Sequence, residues 1–252
     1  MAVAARNKSA VIIGGRNALL ESIARLLSGK GINTVLLTDS AWDPPSGQEG
    51  FANGYDRITF SGEEELFSAA EEIQKKHGTA DYLIFCALPD TAAGRGGTLP
   101  DTPSGFWRKS KDGGINLLYN ASRAFLSGMA ASRGGRVLVL GSVTGVVPAM
   151  GQDARSAMSA AAYMLVKSIA VDTGINGVSA NAIALGAVDV SLGIQTIPAD
   201  ETLIGHIPFK RVCATDEILG LAEYLLLQAP AYLSGNIILL DGAFAAAYMR
   251  DW

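Results

Sequence analysis

A chain of 252 residues, 49% hydrophobic and only 17% charged, can bury one large core without disulfide or metal support. Its net charge of −4 offers nucleic acid no basic surface, its two cysteines (Cys86, Cys213) make no disulfide framework, and its two histidines (His77, His206) are too few for a metal-ligand cluster. No apolar run reaches the roughly 18–20 residues of a membrane span and no secretory leader is legible, so the expectation is a cytoplasmic protein with no membrane partner.

The first predicted strand is Ser9–Ile13, followed by a Gly-containing turn and a helix over Ala18–Leu27 that Gly29 and Gly31 stop. Asn33–Thr38 reads as a second strand with Asp39 at its end, and the Pro- and Gly-rich stretch Trp42–Gly47 as loop. A short strand over Ile58–Phe60 precedes a helix over Glu63–Lys76, acidic in its first turn and basic in its last, the order its dipole favours. Tyr82–Cys86 and Arg136–Leu140 are continuous apolar runs, as expected of parallel strands covered on both faces. Long helical stretches lie near Thr102–Ser132 and Asp153–Gly174, a sixth strand over Val178–Leu185, a helix over Thr215–Gln228 and a last strand over Asn236–Leu240. This βα alternation predicts one α/β domain, residues 1–252, with a Rossmann-like, doubly wound, seven-stranded parallel sheet between helices.

The turn after the first strand reads Gly14-Gly15-Arg16-Asn17-Ala18-Leu19-Leu20. In a dinucleotide-binding loop, glycines give the tight turn, let the backbone touch the pyrophosphate and bring helix against strand. Ala18 and Leu20 stand where the second and third glycines belong, and the isobutyl group of Leu20 is expected in the space of the diphosphate. Gly14, Gly15, Ala18, Leu20 and the strand-end acid Asp39 therefore read as vestiges of a cofactor site. Arg16 alone is weak evidence for an anion site.

Further along, Gly151–Ala161, the run Ala180-Asn181-Ala182-Ile183-Ala184-Leu185-Gly186-Ala187-Val188-Asp189, Ile207–Arg211 and Leu233–Gly242 fall in the order of the landmarks of one family. On these segments the chain resembles the short-chain dehydrogenase/reductase superfamily along essentially its whole length. The resemblance implies a serine that holds the substrate oxygen, a tyrosine as general acid or base, a lysine four residues after it, and a helix asparagine that supports a proton relay. In the family's usual spacing, thirteen residues on from Ser142 and twenty-six back from Asn181 both arrive at Arg155, and the lysine position is Ser159. An arginine has no acceptor lone pair and stays protonated below a pH of about 12, so it cannot exchange the proton. Serine at 159 removes the charge that would stabilise a tyrosinate. Ser142 and Asn116 remain, each with a structural alternative: a strand-ending turn for the first, backbone satisfaction inside a long helix for the second.

Tyr163-Met164-Leu165-Val166-Lys167 matches the family's Tyr-x-x-x-Lys literally, but it begins eight residues beyond Arg155. That is about 12 Å along a helix and some 80° around it, out of reach of Ser142, and Tyr163 is expected to pack on the helix face. The family's Asn-Asn-Ala-Gly after the fourth strand is Phe85-Cys86-Ala87-Leu88 here, with Cys86 a buried small hydrophobe, and its Pro-Gly after the sixth is Leu185-Gly186. The family also pairs subunits through its two long central helices and its last strand and helix. Ser156-Ala157 and Ala160-Ala161-Ala162 give a small-residue helix surface, and the apolar end Ala243–Trp252 either docks on a partner or packs on its own core. The expectation is thus a catalytically silent subunit with no cofactor of its own, in a heterotetramer with an active paralogue; the resemblance, not the spacing, implies that this partner uses NAD to oxidise a secondary alcohol on an aryl-succinyl-CoA. Two alternatives stand beside it: an active NAD(P)-dependent reductase using Ser142, Tyr163 and Lys167, or a stand-alone ligand-binding protein.

Overall fold

The computed structural model describes residues 7–15, 17–40, 54–86, 88, 98–192, 194, 196–197 and 201–247. The loop read over Trp42–Gly47, the Arg16 position and the tail from Tyr248 lie outside these. Seven parallel strands form one sheet: β1 (Ser9–Gly14), β2 (Asn33–Asp39), β3 (Asp56–Phe60), β4 (Tyr82–Cys86), β5 (Gly135–Ser142), β6 (Val178–Leu185) and β7 (Ile237–Leu240). Their spatial order is β3-β2-β1-β4-β5-β6-β7, so the chain reverses direction across the sheet between β1 and β4. The predicted doubly wound Rossmann-like architecture is observed.

Strand alternation divides the core in two. Val11, Ile13, Leu83, Phe85, Val137 and Val139 point to one face, where they meet α2 (Gly62–His77), α4 (Leu117–Ala131) and α5 (Asp153–Thr173). Ala10, Ile12, Ile84, Cys86, Leu138 and Leu140 point to the other, under α1 (Ala18–Gly29) and α7 (Thr215–Glu223). Helices cover both faces, which is why the central strands read as unbroken apolar runs.

Three departures from the predicted elements have local causes. The long helical stretch before β5 is α3 (Ser104–Lys111), then a π-helical turn at Asp112–Asn116, then α4. Gly113 and Gly114 lie in that turn, and Gly114 lets Met158 of α5 come close: a Cβ there would sit 3.5 Å from the Met158 Cβ. The helix after Thr215 likewise ends as a π-helical turn at Tyr224–Gln228. The strand read over Ile58–Phe60 begins two residues earlier, where Asp56 and Arg57 pair in register with Val35 and Leu36. Two short helices, α6 (Glu201–His206) and α8 (Phe244–Ala247), follow later in the chain, and Phe244 is buried against Val143, Ala187 and Ile207 of its own chain.

Asn181, on β6, ties the starts of the last two strands together. Its Nδ2 donates to the Leu233 carbonyl at 2.7 Å and its Oδ1 accepts from the Asn236 N–H at 3.1 Å. At the other end Gly186 meets Asp241 so closely that a Cβ would stand 2.6 Å from the Asp241 Cα. Since that neighbour is backbone, Gly186→Ala is expected to cost about 1–3 kcal/mol of stability through overpacking, read as a lower urea midpoint at unchanged m-value.

Candidate functional site

In open parallel sheets ligands bind beyond the carboxyl ends of the strands at the point where strand order reverses, here between β1 and β4. Gly14 ends β1, Ala18 and Leu20 lie in the first turn of α1, and Asp39 ends β2 beside them. Asn17 caps α1: its Oδ1 accepts from the Leu20 N–H at 2.9 Å, while its Nδ2 donates to the Gly15 carbonyl at 2.9 Å. A backbone N–H of the kind that cradles phosphate at a helix N-terminus is thereby used by the chain itself. Leu20 is fully buried, and its Cδ1 lies 2.9 Å from where a Gly14 Cβ would be, with the Cys86 carbonyl at 3.3 Å. Leu88 is buried in the same apolar cluster, and burial pushes the Cys86 thiol up to about 12, which keeps it inert at neutral pH. Ala18 starts α1 and Asp39 is half-buried at the end of β2, paired in register with Phe60. Glu21, in the first turn of α1, is held by Arg57 at 2.7 Å and Arg25 at 3.3 Å.

At the end of β5 every polar atom of Ser142 is engaged. Its hydroxyl accepts from the Thr144 N–H at 3.2 Å and the Thr144 hydroxyl at 2.9 Å, and donates to the Thr196 carbonyl at 3.3 Å. Its N–H donates to the Ser159 hydroxyl at 3.2 Å, and its carbonyl accepts from the Tyr163 hydroxyl at 2.6 Å. Ser142 thus caps the turn Val143–Gly145, the structural alternative read for it.

Two expectations need correction. Tyr163 was placed out of reach of Ser142, yet its hydroxyl touches the Ser142 carbonyl, because a phenol spans about a helical turn and Gly141 and Gly145 leave room for the ring. A Cβ at Gly141 would lie 2.7 Å from the Tyr163 hydroxyl, and one at Gly145 2.8 Å from the ring. The contact is with backbone, and burial pushes the phenol well above its ordinary range. Packing on the helix face is what Tyr163 does. Asn116, read as satisfying backbone, instead has an exposed side chain whose Nδ2 donates to Asp112 Oδ1 at 2.8 Å.

Arg155 is only 5% exposed. Its Nη1 donates to Gln152 Oε1 and, at 3.1 Å, to the same Thr196 carbonyl that Ser142 engages. Loss of hydration lowers its guanidinium to about 10, so it remains a cation at neutral pH. Thr196 is fully buried and its hydroxyl donates to the Gly186 carbonyl. Ile194 and Ile197, on either side of it, are buried too, Ile194 in the apolar cluster that holds Leu20. Thr196 and Gln152 had no sequence signal as site residues. Asn17, an Asn directly before an apolar helical run, did. Lys167 is exposed on α5.

Comparison with known proteins places the chain in a family. Residues 21–244 match the family described as enoyl-(acyl carrier protein) reductase, and the chain belongs to it, within the short-chain dehydrogenase/reductase superfamily. It is 26% identical over 247 residues to the 3-oxoacyl-(acyl-carrier-protein) reductase FabG of Pseudomonas aeruginosa, covering 94% of this chain and 97% of that protein. It is 28% identical over 249 residues to the oxidoreductase UcpA of Escherichia coli, covering 93% of each. A solved structure of an ElxO variant with NADPH bound superimposes with a TM-score of 0.78 over 95% of this chain and 99% of that one, at 17% identity, a likeness of fold.

Replacing Tyr163 with Phe keeps the ring but leaves the Ser142 carbonyl without its donor. Tyr163→Phe is therefore expected to lose about 1–3 kcal/mol in urea unfolding. A variant of unchanged stability would contradict the role assigned to the hydroxyl.

Proposed function

We propose that this chain is a catalytically inactive subunit of a hetero-oligomeric short-chain dehydrogenase, holding no dinucleotide itself and standing beside an active paralogue that carries NAD. One observation carries the reading: Arg155, which the family's spacing from Ser142 and Asn181 puts at the tyrosine position, is a buried guanidinium that donates to Gln152 and the Thr196 carbonyl. A cation with no acceptor lone pair neither gives nor takes a proton at neutral pH. The nucleotide side supports the same reading. Leu20 packs on Gly14 and Asn17 takes the Leu20 N–H, so the residues present do not fit a diphosphate at the start of α1.

The surface of α5 fits a subunit role. Met164 and Val171 on α5, and Ile175 just beyond it, are 62%, 80% and 86% exposed, apolar area that a neighbouring subunit would remove from water. A paralogue of the same fold supplies a pseudo-symmetric mate, so the degenerate chain takes a sister subunit's place in a heterotetramer. Within the family, the motifs are similar to those of the non-catalytic subunit of 2-(hydroxy(phenyl)methyl)succinyl-CoA dehydrogenase of anaerobic toluene degradation. On that resemblance the active partner oxidises an aryl-substituted succinyl-CoA alcohol, in the cytoplasm.

The relatives' names favour a second reading, an active NAD(P)-dependent reductase using Ser142, Tyr163 and Lys167. Against it stand the Tyr163 hydroxyl, which faces a backbone carbonyl, and the commitment of the Ser142 hydroxyl to Thr144 and Thr196. Expression alone and with the product of a neighbouring intact short-chain dehydrogenase gene tests the proposal. The expected result is a co-purifying hetero-oligomer whose turnover survives Tyr163→Phe or Lys167→Ala in this chain at temperatures where the variants are folded. Turnover by this polypeptide alone, abolished by either substitution, would overturn it in favour of the reductase.

A further inference from the structure

β7 ends the sheet, and among the described residues no strand pairs with its outer edge. The opposite edge strand, β3, opens with Asp56 and Arg57, charges of the kind that blunt an edge, whereas β7 is Ile237-Ile238-Leu239-Leu240 and has none. Beside its C-terminal end lies a pocket of about 240 Å³ whose lining includes Ile207, Phe209, Val212, Leu239, Leu240 and Ala243. Phe209 is 64% and Leu239 41% exposed, so the pocket opens to solvent through apolar side chains.

The polar side chains of the lining are already partnered. Arg211 donates to both carboxylate oxygens of Glu217, at 2.7 and 2.8 Å, and lies 5.8 Å from the centre of the Phe209 ring. Asp241 accepts from the Ala243 N–H at 2.9 Å and the Ala245 N–H at 2.8 Å. Partial burial pushes the Cys213 thiol up to about 11, so it is neutral at neutral pH. A charged ligand finds no unmet partner among these side chains; the fitting occupant is an apolar one. Positive φ at Gly242 (60°) and Ala243 (67°) turns the chain from β7 into α8, which therefore leaves from the wall of the pocket. Five residues follow Ala247 in the sequence, Tyr248-Met249-Arg250-Asp251-Trp252, with two aromatic rings and a methionine among them. Extended, they reach about 16–18 Å, against a return path of about 6 Å along the four residues of α8.

We propose that residues 248–252 double back onto this pocket of their own chain, with Trp252 against Phe209 and Leu239, and cover the β7 edge. One buried aromatic side chain takes about 150–250 Å² out of water. A tether this short holds the segment at an effective concentration of about millimolar, so it fills the pocket ahead of the same segment from another copy. With that edge covered, the exposed face of α5 is left as the surface for a partner. The docking itself does not rest on the subunit reading.

Fluorine NMR of the full-length chain carrying fluorine-labelled tryptophan tests it, since the sequence has three tryptophans and Trp252→Phe assigns the resonance. The expected result is a Trp252 signal with a small solvent isotope shift, unchanged between about 20 and 500 μM protein. In Phe209→Ser, whose thermal melting is expected to match the parent, that shift rises to the value of an exposed indole. A chain ending at Ala247 is expected to self-associate in sedimentation velocity where the full-length chain does not, and Leu239→Asp in the shortened chain to reverse this. An exposed Trp252 signal in the parent overturns the proposal. So does a protected signal that Phe209→Ser leaves in place, which puts the segment elsewhere, or one lost on dilution, which makes the occupant a second copy's segment. If Phe209→Ser does not fold, an oligomeric state unmoved by the truncation overturns it alone.

Discussion

The arrangement around the C-terminal end of β5 depends on one carbonyl. Thr196 O accepts both the Ser142 hydroxyl and the Arg155 guanidinium, and Thr196 itself is fully buried. The Gln152 amide oxygen and the Thr196 carbonyl accept from this buried cation; without them the cost of its lost hydration would be several kcal/mol. The oxygens come from Gln152, one turn before it on the chain, and from the segment after β6 that folds back over the strand ends. Arg155 and Thr196 therefore hold each other in place, and the buried isoleucines at 194 and 197 fix the segment from both sides.

On the proposed reading, the second half of the cleft is closed by different chemistry. At the β1–β4 switch point the barrier is apolar packing: Leu20 on Gly14, backed by Cys86 and Leu88. Close-packed interiors do not rearrange cheaply, and withdrawing a buried leucine costs about 2–5 kcal/mol. On the proposed reading, a dinucleotide would have to meet that cost and also displace the Asn17 cap from the Leu20 N–H. On this account the two halves were closed separately, one by a buried polar lock and one by a hydrophobic plug, within a sheet whose strand order is still that of a nucleotide-binding fold.

Much of the fold was legible because it is carried by local and periodic signals. Unbroken apolar runs at Tyr82–Cys86 and Arg136–Leu140 announce strands covered on both faces, and the charge order of Glu63–Lys76 announces a helix. The π-helical turns were not legible, since a one-residue insertion in a helix leaves no mark beyond the paired glycines at 113 and 114. In the site, the positions of Leu20, Ser142, Arg155 and Ser159 followed from motif spacing. Their partners did not, because Thr196 lies 41 residues from Arg155 and 54 from Ser142, in a segment with no pattern of its own. Tyr163 shows the limit of counting along a helix: Cα positions put it beyond reach, while the length of the phenol and two glycines on the facing strand and turn brought its hydroxyl to Ser142.

The central claim is that side chains of this protein fill the space a dinucleotide would take. Amide chemical-shift mapping of the isolated chain, with NAD and then NADPH added to about 1 mM, well above the Kd of a working site, addresses it most directly. The account predicts that the resonances of Leu20, Ser142, Thr144 and Thr196 stay where they are. Saturable movement of the Leu20 and Gly15 amides on adding either nucleotide would contradict it.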